Sequence, residues 1–131
     1  MAKKLLGNTY LDMGDYDNAM EIYTSALKQA NELSDKYRMG QNLNNIGTVY
    51  YIKGDYNKAL DCFNRSLRIK EEFGDKYGMG ISLVNLGGVY IEKGDHDTAL
   101  EYYERSLKIQ EELCFKLGMG ISLVNLGGVY I

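Results

Sequence analysis

Apolar residues recur along this chain at helical spacing. From Met79 onward, Leu83, Leu86 and Tyr90 mark one face at intervals near the 3.6-residue period of an amphipathic helix, and Gly94 closes the segment. Asp95 suits the start of the next helix, where a side-chain oxygen can accept from a free backbone N–H. That second helix is expected from about His96 to Glu112. Ala99, Leu100, Tyr103, Leu107 and Gln110 lie along one side of it, with Glu101/Arg105 and Glu104/Lys108 as ion-pair candidates on the other. Such a helix buries one face and solvates the opposite one. The connections are short, Leu33-Ser34-Asp35 and Phe73-Gly74-Asp75, so consecutive helices must run antiparallel.

The helix pair repeats with a period of forty residues. Gly7, Gly47, Gly87 and Gly127 recur at that interval, as do Tyr10, Tyr50, Tyr90 and Tyr130, the Gly14-Asp15, Gly54-Asp55 and Gly94-Asp95 pairs, and Ala19, Ala59 and Ala99. The run from Gly78 to Ile91 returns unchanged from Gly118 to Ile131, which implies recent duplication, consensus engineering, or both. This register divides the chain into units at about 1–34, 35–74 and 75–114, with a first helix alone at about 115–131. A single helix pair cannot enclose its own apolar face, so stability must come from stacking. The expected fold is all-α, a right-handed superhelical α-solenoid whose first helices line the concave side. Within each unit Gly47, Gly87 and Gly127 are expected to let the second helix approach closely, with Ala59 or Ala99 and Ser66 or Ser106 as its small partners.

Composition narrows the function. Fifteen Lys+Arg stand against 18 Asp+Glu, with no basic run, so the cationic face that phosphate binding demands is missing and nucleic acid is not an expected partner. No apolar run approaches the roughly 18 to 20 residues of a membrane span, and the start lacks an apolar signal core. Cys62 and Cys114 are too few for a disulfide framework and too far apart for a metal motif, so a cytoplasmic setting is expected. Catalysis needs a nucleophile, an acid or base and an oxyanion donor together, and no such set is present. The single His96 stands where other units carry Tyr16 and Tyr56, at a helix start. Gly78-Met79-Gly80 lacks the rest of a phosphate loop, and Asn64-Arg65-Ser66, formally a glycosylation sequon, lies mid-helix with Ser66 in core register. The expectation is a non-enzyme without cofactor or metal. Cys114-Phe115 replaces the Gly74-Asp75 of the preceding junction, so altered geometry or a new contact is expected there.

Asn85-Leu86-Gly87, Tyr90, Gly94-Asp95, Ala99, Tyr103 and Ser106-Leu107 together resemble the tetratricopeptide repeat, and the likeness extends over the whole chain. The unit departs from the commonest form, which has about 34 residues and often a closing Pro. At forty residues without Pro, and with a Glu71-Glu72-Phe73-Gly74-Asp75-Lys76 junction, it is similar to the repeats of G-protein signalling modulator scaffolds. The resemblance implies a non-catalytic scaffold that binds a peptide or protein segment in its concave groove.

By that register the groove positions are Gln41, Asn44, Asn45, Thr48 and Tyr51, then Ile81, Val84, Asn85, Gly88 and Ile91, then Ile121, Val124, Asn125, Gly128 and Ile131. Asn45, Asn85 and Asn125 form a column one unit apart. The resemblance implies that such carboxamides hold the amides of an extended peptide, donating to a C=O while accepting from an N–H. The alternative is that they bond to neighbouring helices or water. Apolar strips beside the column, without a Lys and Arg set, favour a mixed apolar ligand over an acidic carboxylate tail. In the last unit Leu123, Leu126 and Tyr130 lack the second helix that should cover them, as in an array cut from a longer one. A self-assembling module, a homodimer formed by stacking or helix exchange through this incomplete repeat, is the competing expectation.

Overall fold

Aspartate starts the helices. Asp15, Asp35, Asp55, Asp75 and Asp95 stand twenty residues apart, and each directly precedes a helix in the computed structural model, which describes residues 2–116, with side chains from 6 to 114. After α1 (Ala2–Asp12) these are α2 (Tyr16–Glu32), α3 (Lys36–Ile52), α4 (Tyr56–Phe73), α5 (Lys76–Glu92) and α6 (His96–Lys116). The Asp15, Asp35, Asp75 and Asp95 carboxylates accept from the backbone N–H of Asn18, Arg38, Gly78 and Thr98 at 3.3, 3.1, 3.0 and 3.2 Å. Each bond satisfies a donor that a helix N-terminus leaves free. The Thr98 hydroxyl and N–H also hold the Asp95 carboxyl below its usual pKa. Asp55 instead pairs with the Lys58 ammonium at 3.6 Å.

The turn inside each pair uses a left-handed glycine. At Gly54 and Gly94, both at φ 81°, the chain reverses so that the next N–H returns to the helix, Asp55 to the Tyr50 carbonyl and Asp95 to that of Tyr90. Helix α5 therefore stops at Glu92, two residues before the glycine that makes the turn.

Two apolar clusters run between the pairs. Ala19 and Tyr23 of α2, Ile46 and Val49 of α3 and Cys62 of α4 form one; Ala59, Phe63 and Leu67 of α4 with Leu83, Leu86 and Val89 of α5 form the other. Each core thus joins the second helix of one pair to the first helix of the next, and the described residues build an all-α repeat solenoid. Lysines tether neighbouring pairs at equivalent places, Lys53 to Asp17 at 3.5 Å and Lys93 to the Asn57 side-chain carbonyl at 2.8 Å. These contacts are exposed and contribute little stability.

The glycines of close approach have different partners from those expected. A Cβ on Gly47 would stand 2.7 Å from the Phe63 ring, and one on Gly87 2.9 Å from the Tyr103 ring, so an aromatic side chain lies flat over each glycine where Ala and Ser were expected. The serines meet other glycines. Buried Ser66 donates to the Gly40 carbonyl at 2.7 Å, and buried Ser106 to that of Gly80 at 2.9 Å, tying the two helices of each pair. Ser66→Ala is expected to cost about 0.5–1.5 kcal/mol, the net worth of such a bond, read as a lower urea midpoint at unchanged slope.

Two further expectations change on α6. The helix runs through Cys114 to Lys116, beyond the expected end at Glu112. Leu100 and Leu107, placed on its buried side by periodicity, are 55% and 43% exposed, because none of the described helices stacks on that face.

Candidate functional site

Helices α3 and α5, the first members of successive pairs, meet at a small seam and carry the residues singled out in the sequence. The junction is an amide pair. Asn85 Nδ2 donates to Asn44 Oδ1 at 2.8 Å, so the column runs diagonally, from position 85 to position 44 rather than to position 45. The bond ties two helices together, which is the local role open to these amides. It also leaves Asn44 Nδ2 as a donor and Asn85 Oδ1 as an acceptor, both half-buried at the same seam. Asn45 Nδ2 is buried without a hydrogen-bond partner among the described residues.

The hydroxyls nearby are engaged. Thr48 Oγ1 donates back to the Asn44 carbonyl at 3.0 Å, a local bond common for threonine inside a helix. Tyr51 donates to Glu92 Oε1 at 3.4 Å, across to the next pair, while its ring rests at a tilt on Tyr56 with centroids 5.9 Å apart. Burial, then the adjacent Glu92 carboxylate, pushes the Tyr51 phenol above its ordinary pKa, so it remains a protonated donor at neutral pH. Gln41 and Gly88 are half-buried, and a Cβ on Gly88 would meet only the Tyr103 hydroxyl, at 3.9 Å.

The apolar strip lies on α5. Ile81, Val84 and Ile91 are 38%, 41% and 38% exposed. Ile81, Val84 and Asn85 border a pocket of about 220 Å³ completed by Tyr77 and by Gln110 and Leu113 of α6. Val84 occupies the position that Asn44 holds one unit earlier, where Asn44 meets the first helix of the next unit. Ile121, Leu123, Val124, Asn125, Leu126, Gly128, Tyr130 and Ile131 lie outside the described residues.

The rest of the surface offers little chemistry. Among the described residues no three His, Cys, Asp or Glu side chains gather where they could hold a metal ion, and none of the helices is long and apolar enough to cross a membrane. Cys62 is buried, and that burial raises its thiol pKa, which disfavours the reactive thiolate. A cleft lined by residues of α2, α3 and α4 is bordered by Lys58, Asp61 and Arg65; Arg65 lies 3.9 Å from Asp61, and Lys58 pairs with Asp55.

The repeat register puts Gln41 to Tyr51 in one first helix and Ile81 to Ile91 in the next, matching α3 and α5, but it did not reveal the Asn44–Asn85 pairing or the Tyr51–Glu92 bond. Both join positions about one period apart, and a search restricted to identical register positions passes over them.

Comparison with known proteins agrees with this architecture. The family model of the tetratricopeptide repeat matches residues 1–72 and 78–131. None of the curated proteins matches the chain. Among solved structures, BtubC (BKLC) from P. vanneervenii is similar with a TM-score of 0.78 and 26% identity, over 85% of this chain and 46% of that one. The chain therefore spans about half the length of that protein. The TPR domain of Arabidopsis FLU shares the fold, with a TM-score of 0.78 and 22% identity over 85% of this chain and 93% of that domain. The forty-residue helix pairs, the glycine–aromatic contacts and the matched family model lead to one conclusion: the chain belongs to the tetratricopeptide repeat family.

Proposed function

We propose that this chain is a non-catalytic protein-interaction scaffold that holds an extended or helical segment of a partner protein across α3 and α5. The observation that carries the reading is the Asn44–Asn85 pair, whose remaining donor and acceptor sit beside an exposed apolar strip. An extended backbone offers the complementary acceptor and donor. Each such hydrogen bond contributes about 0.5–1.5 kcal/mol net, whereas micromolar affinity needs about 8 kcal/mol. Apolar contacts with Ile81, Val84 and Ile91 must supply the larger share, with Ile121, Val124 and Asn125 extending the surface if the last unit continues the register. The strip carries no Lys or Arg at the groove positions, so the favoured ligand is apolar and uncharged at its centre. The acidic balance of the chain and its two free cysteines suit a protein partner in the cytoplasm.

A peptide selected from a random library and titrated calorimetrically tests this. Asn85→Ala is expected to weaken binding about 3- to 10-fold, the value of one hydrogen bond, while Ile91→Ala weakens it through lost apolar contact. Unchanged affinity in both variants would sink the groove reading.

A further inference from the structure

Helices α4 and α6 occupy equivalent places one unit apart, yet among the described residues only α4 has a helix packed over its outer leucines. Leu60 and Leu67 of α4 pack under α5, against Leu83, Leu86 and Val89, and Leu67 is 6% exposed. Their counterparts forty residues on, Leu100 and Leu107, are 55% and 43% exposed. The pocket bordered by Ile81, Val84, Gln110 and Leu113 continues this uncovered face across α5. An apolar surface of this kind asks for a helix with the contact face of α5.

The chain carries that sequence twice. Residues 78–91, which cover α4, are repeated without change as residues 118–131. The same fourteen side chains that fit Leu60 and Leu67 are thus available to fit Leu100 and Leu107. We propose that the open face of α6 is completed by residues 118–131 of a second copy of this chain, each copy giving its segment to the other.

The junction decides between the chain's own segment and that of another copy. Where α5 folds back on α4, the helix stops at Phe73, Gly74 turns left-handed at φ 66°, and Asp75 caps the new helix through the Gly78 N–H. The earlier junction does the same with Ser34 at φ 53° and Asp35. At the corresponding positions α6 has Cys114 and Phe115, neither a left-handed turn residue nor a capping carboxylate, and the helix continues to Lys116. Positions 114 and 115, whose equivalents reverse the chain at the earlier junction, here continue the helix, and with Lys116 they lengthen it by about 4.5 Å along its axis. The turn that brings Gly78 back onto α4 thus has no counterpart at positions 114 and 115 of α6.

A segment from another copy carries no such tether. A two-fold axis perpendicular to α6 sets the partner's segment antiparallel to it, the sense in which α5 runs against α4. Reciprocal exchange fills both open faces and uses both segments, so the assembly closes at two chains instead of growing into a filament.

Light scattering after size exclusion, in reductant to keep Cys114 from forming a disulfide, tests the exchange. The full chain is expected at twice its 14.8 kDa mass. The double variant Cys114→Gly, Phe115→Asp restores the turn and is expected to be monomeric, with its helical circular dichroism retained. Leu107→Lys, which places a charge in the proposed interface, is expected to raise the dissociation midpoint roughly a hundredfold or more. If Leu107→Lys fails to fold, the turn-restored variant still decides the question. A wild-type chain that is monomeric at every concentration overturns the proposal, and so does a dimer that survives in the turn-restored variant.

Discussion

Alanine at Leu67 is expected to lower the unfolding free energy by about 2–5 kcal/mol, whereas alanine at Leu107, the same repeat position, should cost about 1 kcal/mol or less in dilute monomer. The chemistry removed is identical; only the surroundings differ. Leu67 lies in the closed cluster with Phe63, Leu83 and Leu86, so its truncation leaves a void that the helices of two pairs can only partly close. Leu107 already meets solvent over 43% of its surface, and water fills the space vacated. Urea unfolding of both variants at low micromolar concentration reads the contrast. Equal losses would mean that α6 is covered within the monomer. A loss at Leu107 that grows with protein concentration is the mass-action signature of burial by a second copy.

The fold was legible in the sequence because a solenoid is built from local signals. The forty-residue period, the Gly-Asp turns and the apolar spacing of α5 and α6 each specify structure within a few residues of themselves, and stacking follows from repetition. Pairing across helices was less legible. That Gly47 and Gly87 mark close approach could be read from their period; that an aromatic ring occupies the space, at Phe63 and Tyr103, depends on the crossing geometry of two helices. The Asn44–Asn85 bond escaped notice for a related reason. Stacking units are displaced along their axes, so the residues that meet are forty-one apart in sequence, not forty.

Helix caps show the reverse case, a readable signal used at Asp95 but not followed through the series. Aspartate every twenty residues marks the starts of both helix types, and the first break in that series, Phe115, coincides with the helix that fails to stop. An altered junction was expected from Cys114-Phe115, but its direction was not. Removing a left-handed residue and a cap together allows the preceding helix to continue, because nothing then competes with its own hydrogen bonds.

Two glycines in equivalent helices provide the second large contrast, because one methyl group should act on them with opposite sign. Gly47→Ala places a Cβ 2.7 and 2.8 Å from Phe63 ring carbons and 3.2 Å from Cys62 Cβ. Phe63 is itself buried in the neighbouring core, so its ring cannot yield without displacing Ala59, Leu83 or Leu86. Overpacking at such a contact costs about 1–3 kcal/mol, and Gly87→Leu under Tyr103 should cost at least as much. Gly80→Ala meets a different environment. Its Cβ would find nothing nearer than Ser106 Oγ at 3.6 Å, an ordinary contact, and the Ser106 bond to the Gly80 carbonyl is undisturbed. There the gain from restricting the unfolded chain and favouring the helix prevails, about 0.5–1 kcal/mol of added stability. Both glycines are buried in helix interiors, so burial and propensity alone predict the same sign for both. Thermal unfolding by calorimetry separates the accounts: opposite shifts of a few degrees are expected, and a stabilised Gly47→Ala would show that Phe63 does not clamp the glycine.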